Sequence, residues 1–273
     1  MRAIRGAIQP MRIVITTLPS WLDEPAFPSL VREAGHYVLQ VHSVASPLGD
    51  AHATVCDPSL ARKWVVRAEK IGLPFEIALP TYRSLAGYGA DGKLLGAVSD
   101  GARPAWPAGT RMREYSTDAE AMARLVDEWT KARPPHCEGL LWYRLPVDTD
   151  RNNWRWPTLR AVIAGHAPRV SRALLINNAA PTNTPLELAD VSLLNDGESD
   201  DLPRDAVEIH WDAAKAHATA EALPGWDVNL QEAGTAKFSP RPESIRHLPA
   251  GDARAIGWLR LEPAAAIHVE VTR

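Results

Sequence analysis

The feature that most limits how this chain can fold is a unit repeated four times between residues 11 and 165: a short apolar run, a connection and a helical stripe. The runs are MRIVITTLP (11–19), YVLQVHSV (37–44), PFEIALPTY (74–82) and GLLWYRL (139–145). Each reads as a strand of a parallel sheet, rich in branched apolar residues because both faces are expected to be covered. A first helix falls within residues 22–34, closed by Gly35. In the second unit Asp57 is placed to cap a helix and Pro58 to open it; Leu60, Trp64, Ala68 and Ile71 recur at helical spacing before Gly72. In the third, Thr117 and Glu120 have the spacing of a capping box ahead of Met122, Leu125, Val126 and Trp129. Pro157 and Gly165 bracket a fourth helix.

Strand–helix alternation of this kind predicts a parallel sheet with right-handed crossovers. The Gly/Pro-rich excursion over residues 83–110 follows a strand's C-terminal end, the place where barrel loops lengthen. The predicted fold class is therefore α/β: half of a TIM-type (β/α) barrel, four βα units, over residues 1–168. After that point the texture changes. AVEIHW (206–211), WDVNLQ (226–231) and AIHVEV (266–271) alternate apolar and polar residues with period two. They predict an antiparallel, immunoglobulin-like β-sandwich over residues 169–273.

Composition narrows the function. Apolar residues make up 45% of the 273 and charged residues 23%, with a net charge of -3. This is a globular composition without the basic face of a nucleic-acid binder. No apolar run reaches the roughly 18 residues of a membrane span. The N-terminus has no long apolar segment of the signal-peptide type, so the default compartment is the cytoplasm. Cys56 and Cys137 are far apart and read as buried thiols. No zinc-type spacing, serine-hydrolase elbow or nucleotide-binding glycine loop occurs, so neither a metal nor a cofactor is expected. The segment NDGESDD (195–201) reads as an acidic turn rather than a calcium loop.

Strand alternation nominates the site residues. Gln40 and His42 share one face of the second strand, and Trp142 and Arg144 share one face of the fourth. Together they form either a binding floor at the barrel mouth or a hydrogen-bonded polar plug. Trp21, Tyr82 and Trp154 lie just past strand ends, where a ring can stack on the C–H face of a sugar or cap the core. Asp148 and Asp150 follow the fourth strand as a pair of carboxylates that could share acid and base roles; Asp148, nearer the mouth, is with Arg144 the candidate for catalysis, and the alternative is a solvated DTDRNN turn. The ligand class implied is carbohydrate. The competing reading is a non-catalytic binding or scaffold protein.

The fragments ITTLPSWL, YVLQVHSV, CDPSLARKWVVRAEKIGLPFEIALPTY, GLLWYRLP and NNWRWPTLRAV, in this order, resemble the bacterial family catalogued as domain of unknown function 3142. That family has no established activity, so the resemblance implies a fold and little chemistry. A looser likeness is to chitinase-type glycosidase barrels, where Pro80-Thr81-Tyr82 and Gly139 to Trp142 take the places of the seventh and eighth strands. It implies that the acidic catalytic motif of such a barrel belongs to an earlier half. The start MRAIRGAIQP reads like the tail of a helix entering a strand, which sets the expectation of a truncated start. Four parallel strands alone would have open edges, an invitation to self-association.

Overall fold

The structure, a computed structural model, describes residues 6–7, 11, 13–42, 54–99, 105–147, 149–150 and 152–271. The chain divides into two compact units, Met1–Trp154 with Leu159–Ala167 and Arg155–Thr158 with Pro168–Arg273.

The first unit alternates β1 (Ile15–Thr17), α1 (Phe27–Ala34), β2 (Tyr37–Gln40), α2 (Pro58–Glu69) and β3 (Phe75–Pro80). It continues with β4 (Ser84–Tyr88), β5 (Leu94–Val98), β6 (Arg111–Tyr115), α3 (Ala119–Lys131), β7 (Cys137–Tyr143) and α4 (Trp156–Ile163), whose first residues count with the second unit. Four strands form a parallel sheet in the order β1-β2-β3-β7. Tyr37 and Leu39 of β2 and Phe75, Ile77 and Leu79 of β3 point to one face. There they join Val31, Val65, Met122, Leu125, Trp129 and Leu159 from the helices in one core. Burying each such side chain stabilises by about 1.5–3 kcal/mol, so this face holds the unit together. The Tyr37 and Phe75 rings stack at 5.6 Å, and the Tyr37 hydroxyl donates to the Ala68 carbonyl at 3.3 Å. The sequence predicts strands covered on both faces; here the other face leaves Val14, Thr16, Leu141 and Tyr143 open to solvent.

Local signals hold in detail at α2, where the Asp57 carboxylate accepts from the backbone of Ser59 at 2.7 Å and Leu60 at 3.3 Å. Its buried residues are Ala61, Val65 and Ala68; Ala68 is on the expected stripe, Trp64 and Ile71 are half-buried against the core, and Leu60 is exposed. At α3 the cap is Asp118, which accepts from the Ala121 backbone at 3.0 Å. Thr117 instead donates its hydroxyl to the Tyr82 carbonyl at 2.7 Å. The excursion after β3 is not a loop: β4, β5 and β6 form an antiparallel sheet in the order β5-β4-β6. Its glycines make room for a ring. Gly87 and Gly96 are cross-strand partners, and a Cβ on Gly87 would meet the Trp106 indole at 2.8 Å.

The second unit carries β8 (Ala173–Ile176), β9 (Leu186–Leu194), β10 (Val207–Trp211), β11 (His217–Ala222), β12 (Trp226–Gln231), β13 (Thr235–Pro240), β14 (Ala253–Ala265) and β15 (Ile267–Val271). They form two antiparallel sheets, β12-β13-β10-β15 and β11-β14-β9-β8. Val191, Leu259 and Leu261 of one and Ile209, Ala236 and Phe238 of the other belong to one core. Gly257 marks the closest approach, since a Cβ there would lie 2.4 Å from the Phe238 ring. The acidic turn is tied down by Arg172, which pairs with Asp201 and with Asp205 at 2.8 Å. Both cysteines are free and buried, and burial beside Asp57 pushes the Cys56 thiol up to about 12. Among the described residues no helix is long and apolar enough to cross a membrane.

Candidate functional site

The C-terminal ends of β2, β3 and β7 bring three rings and a guanidinium together. The chain leaves β2 through Val41, whose N–H donates to the Ala78 carbonyl at 3.3 Å, and presents His42 on the face opposite the helices. His42 is only 6% exposed. Its Nδ1 lies 3.1 Å from the Tyr82 hydroxyl, and its ring stacks on Tyr143 at 5.9 Å between centroids. Tyr82 and Tyr143 meet edge to face at 5.7 Å. Arg144 places its guanidinium over the Tyr82 ring at 5.8 Å.

Each part is fixed by hydrogen bonds to its neighbours. The Thr81 hydroxyl accepts from the Arg144 N–H at 2.7 Å and donates to the Arg144 carbonyl. Asn153 donates from Nδ2 to the carbonyls of Arg144 and Leu145 at 3.1 and 3.0 Å. Arg144 donates to the Asp150 carboxylate through Nε and Nη2, and also through Nη2 to the Ser99 carbonyl at 2.8 Å. Asp150 also accepts from the Asn152 N–H at 3.0 Å, so it serves as an anchor for the arginine.

Two polar atoms remain over. His42 Nε2 and Arg144 Nη1 are both buried, and neither has a hydrogen-bond partner among the described residues. A buried polar group without a partner costs about 1–3 kcal/mol, which makes such a pair at a strand end informative. Burial pushes the His42 imidazole down to about 4, so the ring is neutral at neutral pH. Burial, with the neighbouring Tyr143, pushes the Tyr82 phenol up to about 12, so it too is neutral. Neutral imidazole, neutral phenol and one spare guanidinium N–H can donate to and accept from ligand oxygens. Among the described residues no group of three or more His, Cys, Asp or Glu side chains is placed to hold a metal ion.

The nominated residues divide. His42, Tyr82 and Arg144 come together, and Gln40 lies half-buried one pleat below His42 on the same face. Trp142 requires a correction. It is registered opposite Leu79, packs on the helix-side core and tilts against Trp154 at 6.4 Å. The cause is a register shift between the pairs Phe75–Cys137 and Glu76–Gly139, which exchanges the two faces of β7 relative to β3. Trp154, expected at the rim, is 8% exposed and belongs to the same core. Trp21 is 38% exposed, in the 3-10 turn Pro19–Asp23, with its ring edge-on to Phe27 at 6.4 Å. Asp148 lies outside the described residues. Tyr143 is not among the residues the sequence nominates, because its face needed the register. Asp150 is nominated only as the second of two carboxylates, and an acid six residues beyond an arginine was a usable signal for its role as an anchor.

Comparison with solved structures finds weak likenesses. Chitinase ChiA74 from Bacillus thuringiensis aligns over 94% of this chain and 65% of its own, at 10% identity and a TM-score of 0.38. The chain thus spans 65% of the length of that enzyme. The carbohydrate-binding module CBM3b of cellobiohydrolase 9A from Clostridium thermocellum aligns over 36% of this chain and 69% of its own, at 12% identity and a TM-score of 0.22. Scores of this size do not establish a shared fold. No curated protein matches the chain. The model of a family described as Domain of unknown function (DUF3142) matches residues 1–148, more than half of the 273, and the chain belongs to that family.

Proposed function

We propose that this is a carbohydrate-binding protein whose ligand sits at the C-terminal mouth of the parallel sheet. In this reading residues 1–168 form half of a (β/α) barrel of the glycosidase type, and residues 169–273 form an immunoglobulin-like β-sandwich. The observation that carries the reading is the pair of buried atoms without a partner among the described residues, His42 Nε2 and Arg144 Nη1, beside the Tyr143 ring, which is 46% exposed. A pyranose offers matching chemistry: an apolar C–H face for a ring and adjacent hydroxyls for polar atoms. Binding is favoured over bond cleavage because Asp150, the carboxylate that Arg144 meets among the described residues, is engaged by that arginine and a backbone N–H. A glycosidase needs two carboxyl groups free to move protons or attack. Trp21, exposed beyond β1, is a further platform for an extended glycan.

Native gels cast with soluble neutral glycans (glycol chitin, hydroxyethylcellulose, xylan) test this. The protein should be retarded in at least one gel without releasing reducing ends. Tyr143→Ala should run at the unretarded position. No retardation in any gel, or equal retardation of the variant, sinks the binding site; release of reducing ends sinks its non-catalytic character.

A further inference from the structure

We propose that the sugar bound at the mouth of the parallel sheet is a uronic acid, its carboxylate received by Arg144 Nη1 and His42 Nε2. The inference rests on the carbohydrate reading above and names the substrate class. A guanidinium donates through every nitrogen and accepts through none. Asp150 takes the Nε and Nη2 edge of Arg144, and the Ser99 carbonyl also takes Nη2. Nη1 is the nitrogen left for a second anion; it is buried, and it has no partner among the described residues.

His42 commits Nδ1 to the Tyr82 hydroxyl at 3.1 Å and keeps Nε2 for a ligand. The phenol holds the more acidic hydrogen and the imidazole nitrogen is the more basic acceptor, so the Tyr82 O–H donates to Nδ1. The bond made by one ring nitrogen sets the state of the other, and Nε2 therefore carries the imidazole hydrogen. Both reserved atoms are then donors. They belong to groups around the one Tyr82 ring, the imidazole centroid 5.7 Å and the guanidinium carbon 5.8 Å from its centre. A sugar hydroxyl can accept from them, but it brings a hydrogen that neither can receive. A carboxylate brings none, and its hydrogen bond to a guanidinium is charge-assisted. The half-exposed Tyr143 ring still receives the C–H face of the pyranose.

Affinity gels at one ionic strength test this with two acid–ester pairs: pectate against fully methyl-esterified pectin, and alginate against its propylene glycol ester. The esters should retard the protein weakly, through Tyr143. Each acid should bind about tenfold tighter than its ester, because a charge-assisted hydrogen bond is about twice as strong as a neutral one. The protein's net charge of -3 opposes general attraction to a polyanion, and dextran sulfate, charged but without a carboxylate, should not retard it. Tyr82→Phe, with an unchanged far-ultraviolet circular dichroism spectrum, releases Nδ1 and lets His42 present an acceptor. Its preference for acid over ester should fall several-fold while the esters still retard it. Long-range nitrogen–proton NMR of the wild type should find the His42 hydrogen on Nε2. Equal affinity for acid and ester, equal retardation by dextran sulfate, a hydrogen on Nδ1 or an unchanged preference in Tyr82→Phe overturns the proposal. Retardation by the esters or by neutral glycans then leaves the sugar reading standing; if acids, esters and neutral glycans all fail to retard the protein, both fall.

Discussion

His36 and His42 bracket one strand and share one face, yet they live in opposite chemical worlds. His36 sits at the N-terminal end of β2, where Nε2 meets Glu76 at 3.1 Å and Nδ1 lies 3.4 Å from Glu138. Both ring nitrogens lie near a carboxylate, and only Nε2 makes a hydrogen bond among the described residues. His42, at the C-terminal end, is equally buried but faces a phenol and two rings, and one of its nitrogens has nothing to bond among the described residues. Each ring makes one hydrogen bond and leaves one buried nitrogen without one among the described residues, so the lesson is equal burial in unequal surroundings. At the lower end carboxylates flank the buried imidazole; at the upper end rings do, beside a guanidinium N–H that has no partner among the described residues. Reserved polar capacity at strand C-termini is where α/β folds bind ligands.

The contrast is sharpest in acid. His42 has an ordinary value of 6.5 that burial lowers to about 4 in the folded chain. The unfolded chain therefore binds the extra proton first. Stability from this group is complete above pH 6.5 and is lost as pH falls through the window down to about 4. At about 1.4 kcal/mol per pH unit the loss is about 3 kcal/mol. Denaturant unfolding at a series of pH values should show it, and His42→Phe should remove that part of the slope. An unchanged slope in the variant would erase the distinction between the two histidines. Next in size is Asp150→Ala. It strands a mostly buried guanidinium with only the Ser99 carbonyl and the Tyr82 face, a loss of about 2 kcal/mol in the same measurement. Asp150→Asn, which keeps an acceptor, should lose less.

Much of the helical layer was legible in the sequence because local rules govern it. The Asp57 cap, the Pro58 start and the Met122–Leu125–Val126–Trp129 stripe each follow from a few neighbouring residues. The upper end depends on longer-range facts. Alternation says that Gln40 pairs with His42, but not which parity of β7 joins them; a single register shift near Glu138 decides for Tyr143 over Trp142. The sheet of β4, β5 and β6 hid for another reason. Gly87 and Gly96 weaken the strand signal, and only the Trp106 ring lying over them explains why they are there. Likewise Thr117 looks like a cap until the Tyr82 carbonyl is found to hold its hydroxyl.

The smaller predictions probe the two ends directly. His36→Leu leaves Glu76 and Glu138 without their common partner. Both side chains reach solvent, so the loss is about 1 kcal/mol, and glycan retardation should be untouched. Tyr143→Ala should have the least effect on stability, below about 1 kcal/mol, because the ring is nearly half exposed at the sheet's edge and its contacts with His42 and Tyr82 are ring-on-ring only. The same substitution should abolish retardation. A side chain that contributes little to folding and much to binding is the mark of a reserved surface; if unfolding showed Tyr143 to be worth several kcal/mol, the upper cluster would be core like the lower, and the difference between the two histidines would reflect packing alone.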